Sequence, residues 1–231
     1  LGKNIPIKTA YNQLKNLKYP SLIELEEAFS VDKVTKEFYA GLVTLYNDFL
    51  ETYLKYPNRS EQYENSKKEF AIRLIGRLLF IKFLNKKSLV PNSIFNVEKD
   101  YYNEVLEPLF FEKLNTPKKD RKPEFKDEQI PFLNGGLFEP LGLDFYDYKG
   151  MSNFYRGDLI ISDKFFEEFY SHLANYNFTI DENSLDDSEL SIDPEMLGRI
   201  FENLLAEINP ETKENARKST GSFYTPREIV D

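Results

Sequence analysis

Between Ser66 and Pro91 lies a run that leaves the chain little choice of fold. Phe70, Ile72, Leu74, Ile75, Leu78, Leu79, Phe80, Ile81 and Phe83 put apolar side chains nearly all round a helix, and such a helix has to be wrapped by others. Ser66, Lys67, Lys68 and Glu69 form a capping box that opens it, because the Ser hydroxyl and Glu carboxylate can satisfy each other's orphan amides. Its most apolar part, Leu74 to Leu84, is too short to span a bilayer and contains Gly76, Arg77 and Lys82. The sequence therefore predicts a central buried helix, with no membrane partner.

A second helix is predicted from Val31 to Tyr56, where Val31, Val34, Phe38, Leu42, Leu45, Phe49 and Tyr53 draw one apolar stripe. Ser30 caps its start and Pro57 stops it. A weaker helix covers about 98–114, with Pro108 expected to kink or divide it. Helical spacing returns at Phe165, Phe166, Phe169, Tyr170 and Leu173. Asp193, Pro194 and Glu195 then supply an N-cap, a first-position proline and a first-turn acid. Leu197, Ile200, Phe201, Leu204, Leu205 and Ile208 follow on one face until Asn209 and Pro210.

Between these helices the composition changes. Residues 116–129 mix Pro117 and Pro123 with charged side chains, which reads as an exposed loop. Residues 130–158 hold Pro131, Gly135, Gly136, Pro140, Gly142, Gly150 and Gly157 among aromatics, and are expected to be irregular with room for short strands. The resulting expectation is a mainly α chain in three parts. Residues 1–115 are helical, 116–160 form the charged and Gly/Pro-rich segment, and 161–231 hold helices, an acidic linker and a C-terminal motif.

Composition narrows the chemistry. With no cysteine and one histidine among 231 residues, disulfides, thiolate chemistry and Cys-ligated zinc are excluded. The formal net charge is -9, yet residues 165–198 hold nine acids and no Lys or Arg, so the remainder is balanced and a basic face stays open to nucleic acid. No secretory pattern opens the chain, and a cytoplasmic protein is expected. The acidic stretch from Asp181 to Glu195 lacks the glycine of a calcium loop and reads as a solvated face.

Few residues point to chemistry by themselves. Gly135 and Gly136 lack phosphate-loop context and are expected to form a tight turn between Leu133 and Phe138. Glu124, Phe125 and Lys126 spell half of an acid-x-Lys nuclease signature, in which a carboxylate holds Mg²⁺ and a lysine orients water. That chemistry needs a second acid and a displaying strand, whereas this tripeptide follows Pro123 in a charged loop. His172 has no nameable partner. Arg73 and Arg77 share a helix face and are expected to pair with internal acids ahead of phosphates. Lys82, Lys86 and Lys87, and Lys118, Lys119, Arg121 and Lys122, are candidate DNA-backbone contacts, although charge runs are ordinarily solvated faces.

Thr225, Pro226, Arg227 and Glu228 make another capping box, three residues before Asp231. A start signal for a helix the sequence does not contain is what a piece of a longer protein would show, and Leu1 in place of Met agrees with it.

The stretch Gly221, Ser222, Phe223, Tyr224, Thr225, Pro226 resembles the opening cofactor motif of N6-adenine DNA methyltransferases of the gamma arrangement. The preceding Asp-Pro-Glu-x-Leu-Gly-x-Ile-Phe-Glu helix is similar to one just upstream of that motif. Leu74 to Leu84 with Leu89, Val90 and Pro91, and Ile-Pro-Phe-Leu-Asn-Gly-Gly-Leu-Phe-Glu at 130–139, resemble the helical region of fused type IIG restriction–modification enzymes. The four stretches keep the family's order from about residue 66.

The resemblance implies that Phe223, Tyr224, Thr225 and Pro226 line the methionine and ribose side of S-adenosyl-L-methionine. The family's glycine-rich turn and Asn/Asp-Pro-Pro-aromatic loop are absent, so methyl transfer by this piece alone is not expected. The implied role is a helical connector in a site-specific DNA adenine methyltransferase, packed on the downstream methyltransferase domain of the same chain and acting on DNA. Mg²⁺ would enter only with a nuclease domain elsewhere in the parent. The alternative is a non-enzymatic α-helical interaction module, for which fifteen Tyr and twenty Phe could serve an interface or fill a core.

Overall fold

The computed structural model describes residues 31–57, 63–126, 129–133, 135–146, 159–178, 191–192 and 198. They are mainly helical, as the periodicity predicts, with strands only two residues long. The chain divides into two compact units, Leu1–Val43 with Ala174–Asp231, and Thr44–Leu173.

In the first unit, helix α1 (Val31–Asp48) contributes Val34, Phe38 and Leu42, buried at the predicted spacing. The Phe38 ring stands edge-on to Tyr176 at 4.9 Å and to Phe178 at 6.1 Å. Two short strands, β3 (Asn177–Phe178) and β4 (Ser191–Ile192), pair in parallel, so Ile192 is extended in front of the Asp193 cap signal. Apart from Gly198, which is helical, the helix predicted after Asp193 lies outside the described residues.

The second unit is built on the central helix. Helix α2 (Tyr63–Lys86) buries twelve side chains or glycines from Phe70 to Leu84, on every side, which is the burial its composition predicts. It is already helical at Tyr63, upstream of the capping box at Ser66. The Tyr63 ring lies 6.0 Å from Tyr56, and that contact carries the helix a turn further back. The α2 C-terminus closes as a Schellman motif: the Leu89 amide donates to the Leu84 carbonyl and the Ser88 amide to Asn85, with Ser88 at φ 57°.

The helix expected to reach Tyr56 ends as α1 at Asp48. It widens into a π turn over Phe49–Tyr53 and passes into strand β1 (Leu54–Lys55). Long-range pairing accounts for the change: β1 is antiparallel to β2 (Ile160–Ile161), and the Ser162 amide takes the Tyr53 carbonyl at 3.0 Å. Helix α3 (Asp163–Leu173) follows, burying Phe165, Phe166, Phe169 and Leu173, with Phe165 against Phe49 at 4.3 Å.

Residues 101–114 are helical, largely as two π stretches, Tyr102–Leu106 and Pro108–Leu114, joined through Glu107. Pro108 divides the stretches as predicted without stopping the chain's course, because it stands at the first position of the second one, where a missing N–H costs least. The N-terminus is capped from 62 residues away: the Asp163 carboxylate accepts from the amides of Asp100 (3.0 Å) and Tyr101 (2.9 Å). The C-terminus is capped by the charged loop. Arg121, only 2% exposed, donates to the carbonyls of Lys113 (2.6 Å), Thr116 (3.0 Å) and Pro131 (3.2 Å). The 116–129 segment is therefore not uniformly solvated, and Arg121 is an internal brace in place of the expected DNA contact.

Candidate functional site

The polar centre of the second unit is formed where α2 meets the Gly/Pro-rich segment. Arg73 and Arg77 lie one helical turn apart and face the turn at 135–145. Arg77 and Asp144 are both fully buried and joined twice, Nη1 to Oδ1 at 2.5 Å and Nη2 to Oδ2 at 3.1 Å. The Arg77 Nε donates to the Leu137 carbonyl at 2.8 Å and Nη2 to that of Glu139 at 3.2 Å. Its guanidinium lies 5.0 Å from the Phe111 ring centre and 5.4 Å from that of Phe110. The expected internal pairing is thus what this arginine does.

Arg73 is partly exposed and grips the same turn. Its Nη2 donates to the Gly136 carbonyl and to that of Glu139 (2.7 Å), while Nε stays 4.0 Å from Asp144. Burial and the neighbouring Arg77 lower its pKa, and Asp144 opposes the shift. Asp144 has a second duty, since its Oδ2 accepts from the Leu141 amide at 2.8 Å and so closes the 3-10 turn Gly142–Asp144. The next residue, Phe145, sits at φ 51° with its ring 5.3 Å from Tyr56, whose hydroxyl donates to the Leu143 carbonyl at 3.1 Å. Burial is the chief cause that raises the pKa of Tyr56 and of Tyr102, with Asp144 adding to both. The Tyr102 hydroxyl is buried with no hydrogen-bond partner.

Gly135 and Gly136 form the tip of this turn, as expected. A Cβ at either would meet nothing within 4 Å, and neither backbone is left-handed. Sequence reading missed Asp144, whose signal is an acid set between Leu141, Leu143 and Phe145 in a segment of glycines and aromatics.

The other candidates are scattered. Glu124 and Lys126 are exposed, and Pro123–Phe125 is a 3-10 turn where the nuclease signature needs a strand. Phe125 instead meets the Lys113 ammonium at 4.6 Å. Among the described residues no group of three or more metal-ligating side chains gathers. His172 is half-buried in the last turn of α3. Lys86, Lys87, Lys118 and Lys119 are exposed, Lys122 pairs with Glu112 at 2.7 Å, and Lys82 lies over Phe95 at 5.0 Å. Burial, then Lys86, lowers the Lys82 pKa. Phe223, Tyr224, Thr225 and Pro226 lie outside the described residues. Among those described, no helix is long and apolar enough to cross a membrane.

No protein-family profile and no solved structure matches the chain. Over 193 residues, 75% of its length, the chain is 36% identical to a protein of Methanocaldococcus jannaschii named "Putative type II restriction enzyme and methyltransferase". It spans 14% of that protein's length. The resemblance read from the motifs is thereby met by a match over three quarters of the chain, and the chain is related to one region of a restriction–modification methyltransferase.

Proposed function

We propose that this chain is the helical connector of a site-specific DNA adenine-N6 methyltransferase of the restriction–modification kind, not catalytic by itself. The similarity to the archaeal protein carries the reading, since that protein's name joins a restriction enzyme and a methyltransferase. The adenine assignment and the cofactor wall rest on the Gly221 to Pro226 motif.

In this reading the chain packs on a downstream methyltransferase domain of the same protein. Phe223, Tyr224, Thr225 and Pro226 form one wall of the S-adenosyl-L-methionine pocket. The donor chemistry fits: a helix opened by Thr225 and Pro226 offers free amides to the cofactor carboxylate, and two aromatic rings offer faces to its ribose and methionine. The cofactor supplies the methyl group, and a flipped-out adenine is the acceptor. Mg²⁺ belongs only to a nuclease domain if the full-length protein has one. The cytoplasm, where the DNA is, is the place of action.

The test uses the full-length protein with duplex DNA and S-adenosyl-L-methionine. N6-methyladenine is the expected product by mass spectrometry of the digested DNA; methylated cytosine, or no methylation, overturns the adenine reading. Tyr224→Ala with Pro226→Ala is expected to weaken cofactor binding at least tenfold by calorimetry. Unchanged cofactor affinity removes these residues from the pocket.

A further inference from the structure

Glycine is usually required by a left-handed backbone or by a neighbour that leaves no room for a Cβ. Gly135 and Gly136 have neither reason. Both are exposed, side by side, at the tip of a turn that two arginines hold firmly. A flexible glycine pair in a rigidly held turn makes sense where something outside the chain comes close to the backbone.

The orientation of the backbone says what that something is. In a trans peptide the carbonyl and the following N–H point in opposite directions. The carbonyl of Gly136 is turned onto Arg73 and that of Leu137 onto Arg77, so the amides of Leu137 and Phe138 point away from the arginines. Neither amide donates to any group among the described residues. Arg73 adds a charged donor, because its Nη1 makes no bond among the described residues and is not enclosed. Two arginines stand against one buried acid, Asp144, which leaves the tip positive except for the exposed Glu139 carboxylate on the same turn. Outward amides, an arginine and a backbone stripped of side chains are the donor set for a phosphate oxygen.

We propose that the tip at 135–138 is a phosphate-binding site, with the Leu137 and Phe138 amides and Arg73 as donors, and that its ligand is a phosphodiester of the DNA backbone. The choice of DNA over a free phosphate rests on the function proposed above. The glycines are there to let the phosphate in, and Arg77 with Asp144 positions the turn without touching the ligand.

The experiment compares the full-length protein with Gly136→Ala and Glu139→Gln variants, measuring affinity for a short duplex of arbitrary sequence across a salt series. Gly136→Ala should keep or raise the melting temperature. Its methyl holds the phosphate away from Arg73, so the slope of log affinity against log salt should become shallower by about 0.9, the value for one phosphate contact. Glu139→Gln should tighten binding. An unchanged slope in Gly136→Ala overturns the site, and so does unfolding of that variant, since the chain itself would then require the glycine. Amide shifts at 137 and 138 with inorganic phosphate, but no change in DNA affinity, overturn the DNA assignment. If the slope falls while no methylated adenine is formed, the site stands and the methyltransferase reading fails; methylation with an unchanged slope is the reverse.

Discussion

Asp144 is held in the dry interior by one counter-charge, and the dependence is mutual. Without the carboxylate, the Arg77 guanidinium would be left fully buried with only the carbonyls of Leu137 and Glu139 for company. Removing one partner of a buried pair costs about 3–5 kcal/mol, much of it the penalty on the stranded charge. Asp144→Ala should therefore lower the unfolding free energy by that amount in urea denaturation. Arg77→Met combined with Asp144→Leu, which strands nothing, should recover most of it, and a double variant as unstable as the single one would refute the account. The spacing of Arg73 and Arg77 and their inward role were legible in the sequence. Their partner was not, because Asp144 is 67 residues from Arg77 and no local pattern links the two. Ser88 makes a smaller point of the same kind. It occupies the left-handed closing position of α2 at φ 57°, where a Cβ is strained, so Ser88→Gly should stabilise by about 1 kcal/mol in the same assay.

Elements were legible where their signals are local. The central helix α2 and the aromatic helix α3 follow from apolar spacing alone, and the period survives because burial on those faces dominates everything else. The helical stretch at 101–114 was the weakest prediction, and its caps explain why. Its start is held by Asp163 and its end by Arg121 and by the Leu133 amide on the Leu114 carbonyl at 2.7 Å, all supplied from outside the stretch. Arg121 was hidden in a run of charged residues, four of which, Lys118, Lys119, Glu124 and Lys126, are exposed. The contrast gives a test within one loop. Arg121→Ala removes three charge-assisted hydrogen bonds from buried carbonyls and should cost at least about 2 kcal/mol, with faster hydrogen exchange at the end of the 101–114 stretch. Lys118→Gln with Lys119→Gln should stay within about 0.5 kcal/mol of the parent. Equal effects of the two changes would mean that the loop acts as a charged surface after all.

At the scale of the whole molecule, a mainly helical chain rich in Tyr and Phe was readable from composition and period, while the described part of the candidate site depended on which distant side chains meet. The aromatic richness leaves a signature in the response to pH. Tyr46, Tyr56, Tyr101, Tyr102 and Tyr170, all between Thr44 and Leu173, have pKa values raised chiefly by burial. Tyr101 is pushed up to about 12; its hydroxyl donates to the Ile94 carbonyl, so the Tyr170 hydroxyl, 2.9 Å away, must donate to Tyr101. A phenol whose folded pKa lies above its unfolded value stays neutral in the fold while the unfolded chain ionises. Its contribution is complete below pH 10 and is lost as pH climbs from 10 toward 12, by about 2–3 kcal/mol for a shift of this size. Several tyrosines acting together make that loss steep. Stability measured by urea denaturation should be level from neutral pH to about 10 and then collapse, and phenolate absorbance should appear together with unfolding, not before it. Tyr101→Phe keeps the ring packed against Phe166 at 5.0 Å and removes one titrating group, so it should move the collapse to higher pH even where the lost hydrogen bonds lower stability at neutral pH. If phenolate absorbance instead rises smoothly while the fold persists, these hydroxyls are in contact with water, and the closely packed interior described for this unit is wrong.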